Sequence, residues 1–128
     1  MSTRPSSATK SGNALVAALA ERDFPRLTDT LAPDVRMRAL LPPGFIELSG
    51  AEAATATFSS WFADVEKLEL IRSGCDTLAD RLHVFYSLRV TKRETPAKLV
   101  EQHLLCGFDG DRINSLDLVC TGFRPDEM

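Results

Sequence analysis

The sequence predicts an α+β fold in a single domain of 128 residues. Three observations predict it. Apolar positions recur at helical spacing only in the first half of the chain, alternating apolar runs fill the second half, and Asp109-Gly110 between the last two runs is a tight-turn signal. Helices followed by consecutive antiparallel strands pack on one face of a strongly curved sheet. We therefore expect three helices from the N-terminal half to cover one face of that sheet.

Composition argues against several classes of protein. The net charge is -3 with both signs interleaved, so no basic stripe is available for phosphate groups and we expect no nucleic acid partner. No apolar run approaches the roughly 18 residues of a membrane span, so we expect no membrane partner. The three cysteines form no Cys-x-x-Cys pair and have no histidine at ligand spacing. We expect no metal, no cofactor, and the reduced thiols of a cytoplasmic protein.

The ends of the chain differ in composition from the rest. Residues 1–11 are rich in Ser, Thr, Lys and Pro and predict a disordered tail, residues 12–124 a single domain, and residues 125–128 a second tail. The short apolar run 14–20 follows basic residues, as in a signal peptide. It continues into Glu21 with helical spacing, which favours an amphipathic first helix.

Three helices are predicted before residue 66. The first begins near Asn13 and ends near residue 22, and Asp23 caps a short second helix that Pro33 ends. Ser49 and Glu52 form a capping box that opens the third helix. That helix presents one broad, aromatic-rich face: Ala54, Thr57, Phe58, Trp61, Phe62 and Val65.

Strands are predicted over 35–41, 68–75, 82–91 and the hairpin 99–123. The run 82–91 has one wholly apolar face: Leu82, Val84, Tyr86, Leu88 and Val90. Its other face, which carries His83, is mixed and is expected to point outward. Two hairpin registers are plausible, with the numbers of opposed residues summing to 219 or 221. Both place Glu101, His103 and Leu105 on one face with Leu116, Leu118 and Cys120, so we expect His103 and Glu101 to point inward beneath Trp61 and Phe58.

The order of these elements resembles the ketosteroid isomerase and SnoaL-like polyketide cyclase superfamily, which has the nuclear transport factor 2 fold. The resemblance covers about residues 13–124. Its local matches are Val16-Ala-Ala-Leu19 followed by Asp23, Leu31-Ala-Pro-Asp34-Val, Gly50 before a helix that ends in aromatic residues, and the turn Asp-Gly-Asp-Arg-Ile. The resemblance implies a cone-shaped domain whose helices and concave sheet enclose an apolar pocket. It also implies a homodimer.

Two sets of catalytic residues known in the superfamily have no full counterpart at the matching positions of this sequence. The tyrosine and the base that ketosteroid isomerases use correspond to Leu15 and Ala39, neither of which can move a proton, so we do not expect steroid isomerisation. Epoxide hydrolases of this fold carry an arginine and an aspartate two residues apart, whereas Arg89 is followed at that spacing by Thr91.

Two other chemistries leave candidates in this chain. Dehydratases of the fold use two histidines with an aspartate, and His83 and His103 lie on neighbouring predicted strands. Cyclases use a carboxylate late in the sheet, for which Asp117 is the nearest match. The candidate catalytic residues are therefore His103, Glu101 and Asp117. Each residue also has a structural alternative. His103 can be hydrogen-bonded in the core or in a dimer contact, Glu101 can form a salt bridge with an arginine, and Asp117 can face solvent or a partner subunit.

The function that we predict is binding of a small, largely apolar molecule in a closed pocket, with or without cofactor-free acid/base chemistry of the isomerase, cyclase or dehydratase type. The predicted lining of the pocket is Leu15, Phe58, Trp61, Tyr86, Leu116, Leu118 and Cys120. The alternative is a non-catalytic dimerisation or protein-interaction module. Apolar residues predicted on the second face of the sheet support a homodimer: Val100, Leu104, Cys106 and Val119.

Overall fold

The computed structural model of the chain describes residues 7–126. The helices in this range are α1 (Ser7–Ala20), α2 (Phe24–Asp29) and α3 (Ala51–Phe62). The strands are β1 (Leu31–Leu41), β2 (Gly44–Ser49), β3 (Lys67–Leu78), β4 (Arg81–Thr91), β5 (Lys98–Asp109), β6 (Arg112–Cys120) and β7 (Arg124–Pro125). No helix among these residues is both long and apolar enough to cross a membrane.

All strands belong to one curved sheet of order β2-β1-β6-β5-β4-β3, with β7 paired to β5. Neighbouring strands run antiparallel except β1 and β6, which run parallel. Helix α1 packs on β3 and β4, while α2 and α3 pack on β1. We call the side of the sheet that the helices cover the inner face and the opposite side the outer face. The α+β prediction, with helices on one face of a curved sheet, is confirmed.

The first two helices differ from the predicted bounds. Helix α1 begins at Ser7, six residues before Asn13, and residues 1–6 of the expected tail lie outside the described residues. Asp23 caps α2 as predicted and accepts from the backbone N–H of Arg26 at 3.3 Å. The helix ends at Asp29, and Pro33 lies inside β1, so the prediction that Pro33 ends the helix is wrong. Proline has no N–H for a ladder, and β1 shifts register against β6 around this position.

The predicted capping box before α3 is wrong. Ser49 belongs to β2 and lies opposite Arg36 on β1, and the N-cap is Gly50, with no side-chain hydrogen bond. Gly50 has φ +104, a value that favours glycine, and its N–H donates to the carbonyl of Val35 at 2.8 Å. The turn from β2 into α3 is therefore made by backbone geometry.

Strands β2 and β7 were not predicted, and β1 and β3 are longer than expected. The expected C-terminal tail, 125–128, begins within β7, and Asp126 forms an ion pair with Arg89 at 2.8 Å. On β4 the predicted apolar face is confirmed, since it is buried along its whole length: Leu82, Val84, Tyr86, Leu88 and Val90.

The β5–β6 hairpin turns at the predicted place but contains a β-bulge. Gly110 has φ +68, and near the turn Phe108 lies opposite Ile113, which sums to 221. Beyond it Gly107 lies opposite Ser115, and the opposed numbers sum to 222 along the rest of the hairpin. Asn114 is the extra residue. A single inserted residue reverses which face each side chain of β5 shares with β6.

The bulge makes the predicted face of the hairpin wrong. Gln102, Leu104 and Cys106 lie on the inner face, where they are buried, and Glu101 and His103 lie on the outer face. The apolar residues expected to support a dimer follow the same correction. Val100, Leu104 and Cys106 are part of the core, and of that set only Val119 is exposed on the outer face.

Candidate functional site

A row of three side chains crosses the inner face of the sheet at its open end. Tyr86 on β4 lies opposite Gln102 on β5, which lies opposite Cys120 on β6. The hydroxyl of Tyr86 donates to Oε1 of Gln102, and Nε2 of Gln102 donates to Sγ of Cys120 at 3.3 Å. The N–H of Gly122 also donates to that sulfur at 3.3 Å. These contacts satisfy a glutamine that is only 1% exposed.

A cleft of about 330 Å³ opens above Gln102 and Cys120. Apart from these two its lining is apolar: Leu41, Pro42, Pro43, Trp61, Gly122 and Phe123. Gly122 has φ +78, and a Cβ there would lie 2.6 Å from Cγ of Pro42. The chain can therefore close over the prolines only with glycine at this position.

Aromatic rings from α3 and the C-terminal segment form one wall of the cleft. Trp61 packs edge-on against Phe58 and Phe62, with ring centroids 5.4 and 6.2 Å apart. Phe62 packs edge-on against Phe123 at 6.3 Å. Phe58 and Phe62 are fully buried, while Trp61 is half-buried and Phe123 is exposed. The wall therefore joins the hydrophobic core to the mouth of the cleft.

The structure brings together part of the predicted pocket. Trp61 and Cys120 line the cleft, and Tyr86 lies directly beneath it. The other predicted lining residues are core residues with 2% or less of their surface exposed: Leu15, Phe58, Leu116 and Leu118. Ala39, which the resemblance matches to the isomerase base, is also fully buried in that core.

His103 and Glu101 form the predicted hydrogen-bonded pair, but on the outer face. Nε2 of His103 lies 2.7 Å from Oε2 of Glu101, and Nδ1 of His103 lies 2.9 Å from Nε2 of His83. Ser87 donates to Oε1 of Glu101 at 2.7 Å, and Arg72 approaches the same oxygen at 3.4 Å. The bonds from His103 and Ser87 lower the pKa of Glu101 to about 2, so it is a carboxylate at neutral pH.

The two imidazole rings meet edge to edge. Their planes are 9° apart and their centroids 5.1 Å apart, which with a 2.9 Å nitrogen–nitrogen distance describes an in-line hydrogen bond. Phe85 lies beside both rings at 5.6 and 5.7 Å. Within residues 7–126, no group of three or more His, Cys, Asp or Glu side chains is arranged to hold a metal ion.

Asp117 also lies on the outer face. Its carboxylate accepts from Nε of Arg38 at 2.7 Å and lies 3.9 Å from Arg81. The hydrogen bond from Arg38 lowers the pKa of Asp117, which keeps it ionised. Neither it nor His103 nor Glu101 lines the cleft, and an acid/base role for these residues remains a prediction.

A larger hollow of about 570 Å³ lies elsewhere, beside the N-terminus of α3. Its lining includes Asp29, Glu52 and Arg112 and contains no aromatic side chain. Leu31, Pro33 and two alanines give this hollow some apolar surface, but charged side chains share its lining. The smaller cleft, with its aromatic wall and a few polar groups, is the better candidate for a binding site.

Six lining residues of the cleft were not predicted, and Gln102 and Phe123 are the two that matter most for its chemistry. Gln102 was placed on the wrong face because the bulge at Asn114 was not recognised, although Gly107 and Asn114 within strand patterns are signals for one. Phe123 lies beyond the end of β6, where period-two reasoning no longer applies.

Comparisons with known proteins support the fold. A ketosteroid isomerase-like protein from Catenulispora acidiphila, solved with trimethylamine, is 16% identical, with a TM-score of 0.70 over 85% of this chain and 83% of that chain. An NTF2-like protein from Cytophaga hutchinsonii is 14% identical, with a TM-score of 0.65 over 94% of each chain. An epoxide hydrolase of M. tuberculosis is 16% identical, with a TM-score of 0.66 over 89% and 82%.

Further structures in this range include candidate polyketide cyclases from Xanthomonas campestris and Pseudomonas putida. The chain therefore has the nuclear transport factor 2-like fold, the fold that its resemblance to the SnoaL-like proteins implied. No protein-family model matches the sequence. No curated protein matches it either.

Proposed function

We propose that the chain binds a small, largely apolar molecule in the cleft between Trp61 and Phe123, with the side-chain amide of Gln102 as its polar anchor. A cleft of about 330 Å³ suits a compact ligand, and its aromatic wall provides apolar contact. Proteins of this fold named as cyclases, isomerases and epoxide hydrolases act on small molecules, which supports the same class of ligand here.

The observation that carries this proposal is the row Tyr86–Gln102–Cys120. Because Oε1 of Gln102 is occupied by Tyr86, the amide presents its Nε2 donors to the cleft side, where Cys120 is its acceptor. Sulfur is a weak acceptor. A ligand oxygen that accepts from Nε2 would therefore improve on the existing contact. We propose an apolar ligand with one carbonyl or ether oxygen.

Binding, rather than proton transfer, is the activity that the cleft supports. Its described lining contains no carboxylic acid and no histidine. Leu15 and Ala39, which the resemblance matches to the proton-handling groups of the isomerases, are buried core residues. Isomerase, cyclase or dehydratase chemistry needs a donor and an acceptor within hydrogen-bond reach of the ligand. The three cysteines, all free, fit a reducing compartment such as the cytoplasm.

Acetophenone and ethylbenzene test this proposal, because they differ by a single carbonyl oxygen. The indole N–H resonance of Trp61, the only tryptophan of the chain, reports binding in NMR titrations. We expect acetophenone to bind about three- to tenfold more tightly, the effect of one hydrogen bond. Gln102→Leu should remove that preference and leave ethylbenzene binding intact.

A matched control is Leu78→Ala, which removes an exposed apolar side chain at the end of β3, outside the cleft, and should change neither affinity. Equal affinities of the wild-type protein for the two compounds would contradict the role of Gln102. If neither compound shifts the Trp61 indole resonance of the wild-type protein, the cleft is not the binding site.

A second candidate function is self-association, as a homodimeric module of the same fold. Its support is on the outer face, where Leu40, Phe45 and Val119 are 54%, 59% and 54% exposed. Exposed apolar side chains that lie together mark interaction surfaces. Analytical ultracentrifugation at micromolar concentration tests it, and a stable monomer would contradict it.

A further inference from the structure

We propose that the ligand of the cleft is an anion, an apolar molecule whose end opposite the carbonyl or ether oxygen carries a carboxylate held between Lys92 and Lys98. The proposal rests on the binding function proposed above and names the class of ligand. It starts from a second space of about 150 Å³ beside the cleft, which we call the lysine hollow. Its lining is Val90, Lys92, Thr95, Pro96, Lys98 and Phe123.

The lysine hollow and the cleft share one wall. Phe123 lines both spaces, and its ring is supported by the edge-on contact with Phe62 at 6.3 Å. The Phe123 side chain is 43% exposed, so a molecule can lie along it from one space into the other. An elongated ligand can therefore fill the cleft with its apolar part and place its far end in the hollow.

The two lysines continue the inner face of the sheet beyond its buried part. On β4 the inner-face residue Val90 is buried, and Lys92 follows two residues later, just past the end of the strand. On β5 the buried residues Gln102 and Val100 are followed on the same face by Lys98. Because every second side chain of a strand shares a face, both ammonium groups belong to the side on which the cleft opens.

The loop between β4 and β5 holds Lys92 in place. The N–H and the hydroxyl of Thr95 both donate to the carbonyl of Lys92, at 3.3 and 3.1 Å. At the start of β5, Lys98 lies opposite Val90 on one side and Pro125 on the other, so β4 and β7 flank it. A site whose backbone is already ordered loses little entropy when a ligand binds.

The positive charge of the two lysines is not compensated within the described part of the chain. Of the lysines among residues 7–126, only Lys67 has a carboxylate within 4 Å. The described lining of the hollow contains no acidic residue, and Asp126, at the end of the neighbouring β7, is paired with Arg89 at 2.8 Å. A carboxylate has two oxygens, one for each ammonium group, so it complements this pair of charges.

The distance between the two polar ends sets the length of the ligand. Gln102 and Lys98 are four residues apart on β5, which places their Cα atoms roughly 13 Å apart. The flexible lysine side chain can shorten this gap, so the two polar groups of the ligand should be about 10 Å apart. A benzene ring with a ketone on one side and a short acid chain on the opposite side has this length.

The compound para-acetylphenylpropanoic acid and its primary amide test the proposal at neutral pH, because they share shape and ketone and differ in charge. In NMR titrations the Trp61 indole N–H reports the cleft and the Val90 methyl groups report the hollow. We expect both compounds to shift both resonances and the acid to bind about three- to tenfold more tightly, the effect of two partly exposed ion pairs. Acetophenone, which is shorter, should shift Trp61 alone.

Variants of exposed residues locate the charge that selects the acid. Lys92→Gln and Lys98→Gln should each lower the affinity for the acid about two- to threefold, and the double variant should bind acid and amide equally. Arg112→Gln is the matched control, because it removes one exposed positive charge at the other end of the β5–β6 hairpin and should keep the preference for the acid. Gln102→Leu should weaken both compounds by the same factor.

The outcomes separate this inference from the proposed function. If acetophenone shifts Trp61 but acid and amide bind equally, the cleft stands as the binding site and the anionic ligand is wrong. A preference for the acid that survives in the double lysine variant, or Val90 resonances that do not move with the acid, would overturn the assignment of the lysine hollow. If none of the three compounds shifts Trp61, both the proposed function and this inference are contradicted.

Discussion

The Tyr86 hydroxyl donates a hydrogen bond to Oε1 of Gln102, the residue opposite it on the next strand. Both side chains are almost fully buried. Burial raises the pKa of Tyr86 well above its ordinary value, so the hydroxyl keeps its proton. The bond fixes which end of the Gln102 amide faces Cys120, and so the polarity of the cleft depends on a residue that does not line it.

Removing the Tyr86 hydroxyl should therefore destabilise the domain. In Tyr86→Phe the buried Oε1 of Gln102 loses its donor, and we expect the free energy of unfolding to fall by about 1–3 kcal/mol. Urea denaturation followed by Trp61 fluorescence measures it. In the double variant Tyr86→Phe/Gln102→Leu no polar group is left unpaired, and part of the loss should be recovered. If the losses in free energy of unfolding of the two single variants simply added in the double variant, this would argue against the hydrogen bond.

Stability should depend on pH through Glu101. Its pKa is about 2 in the folded chain against an ordinary 4.5, so its contribution is complete above about pH 5 and is lost as the pH falls toward 2. Solvent screening limits the contribution to about 1–2 kcal/mol at neutral pH. We expect Glu101→Gln to be less stable than the wild type by that amount at pH 7 and equal to it near pH 2. Glu66→Gln, exposed, should differ little from the wild type at either pH.

Gly12→Ala should destabilise the domain although alanine is the better helix former. A Cβ at Gly12 would lie 2.6 Å from Cδ2 of Leu82 and 2.8 Å from Sγ of Cys75, where α1 packs on β3 and β4. The crowding should outweigh a helix gain of about 1 kcal/mol and leave a net loss of about 1–2 kcal/mol. Asn13→Ala, exposed on the same helix, should be neutral or stabilising. Thermal unfolding of the two variants and the wild type measures both stability changes, and a Gly12→Ala variant as stable as the wild type would contradict the crowding.

Deletion of Asn114 should abolish the native fold. Without the bulge one of the two strands must turn over. Turning β5 would bury Glu101 and His103, and turning β6 would expose Leu116 and Leu118. Asn114→Gly keeps the extra residue and should retain the fold with a loss of about 1 kcal/mol. Proton NMR dispersion distinguishes the outcomes, and a folded deletion variant with native shifts would contradict this account of the register.

Local chemistry made several elements predictable. Asp23 has a donor within reach at Arg26, Asp109-Gly110 favours a tight turn, and period-two burial holds along all of β4. The hydrogen-bonded pair of His103 and Glu101 also follows from position, since residues two apart on a strand share a face.

The faces of β5 could not be derived in the same way. Because side chains alternate between the two faces, a register that is wrong by one residue assigns every side chain of a strand to the wrong face. The unrecognised bulge at Asn114 is such an error, and it is why Gln102 lies at the cleft and His103 on the outer face. Ser49 shows that local sequence has the same limit at the start of a helix. The sequence around it fits a capping box, but its backbone is hydrogen-bonded in the sheet beside β1. Tertiary pairing, which no local pattern contains, decided both cases.

The parallel pairing of β1 with β6 joins strands that lie far apart in the chain. Arg38 and Asp117, joined across that pair, are 79 residues apart in sequence. Until β6 arrives, β1 has only β2 beside it, and its other edge presents free N–H and C=O groups to any strand in reach. Such non-local pairings form slowly. The β1 edge that β6 covers in the native fold is therefore an edge at which an incompletely folded chain can pair with a strand of another chain.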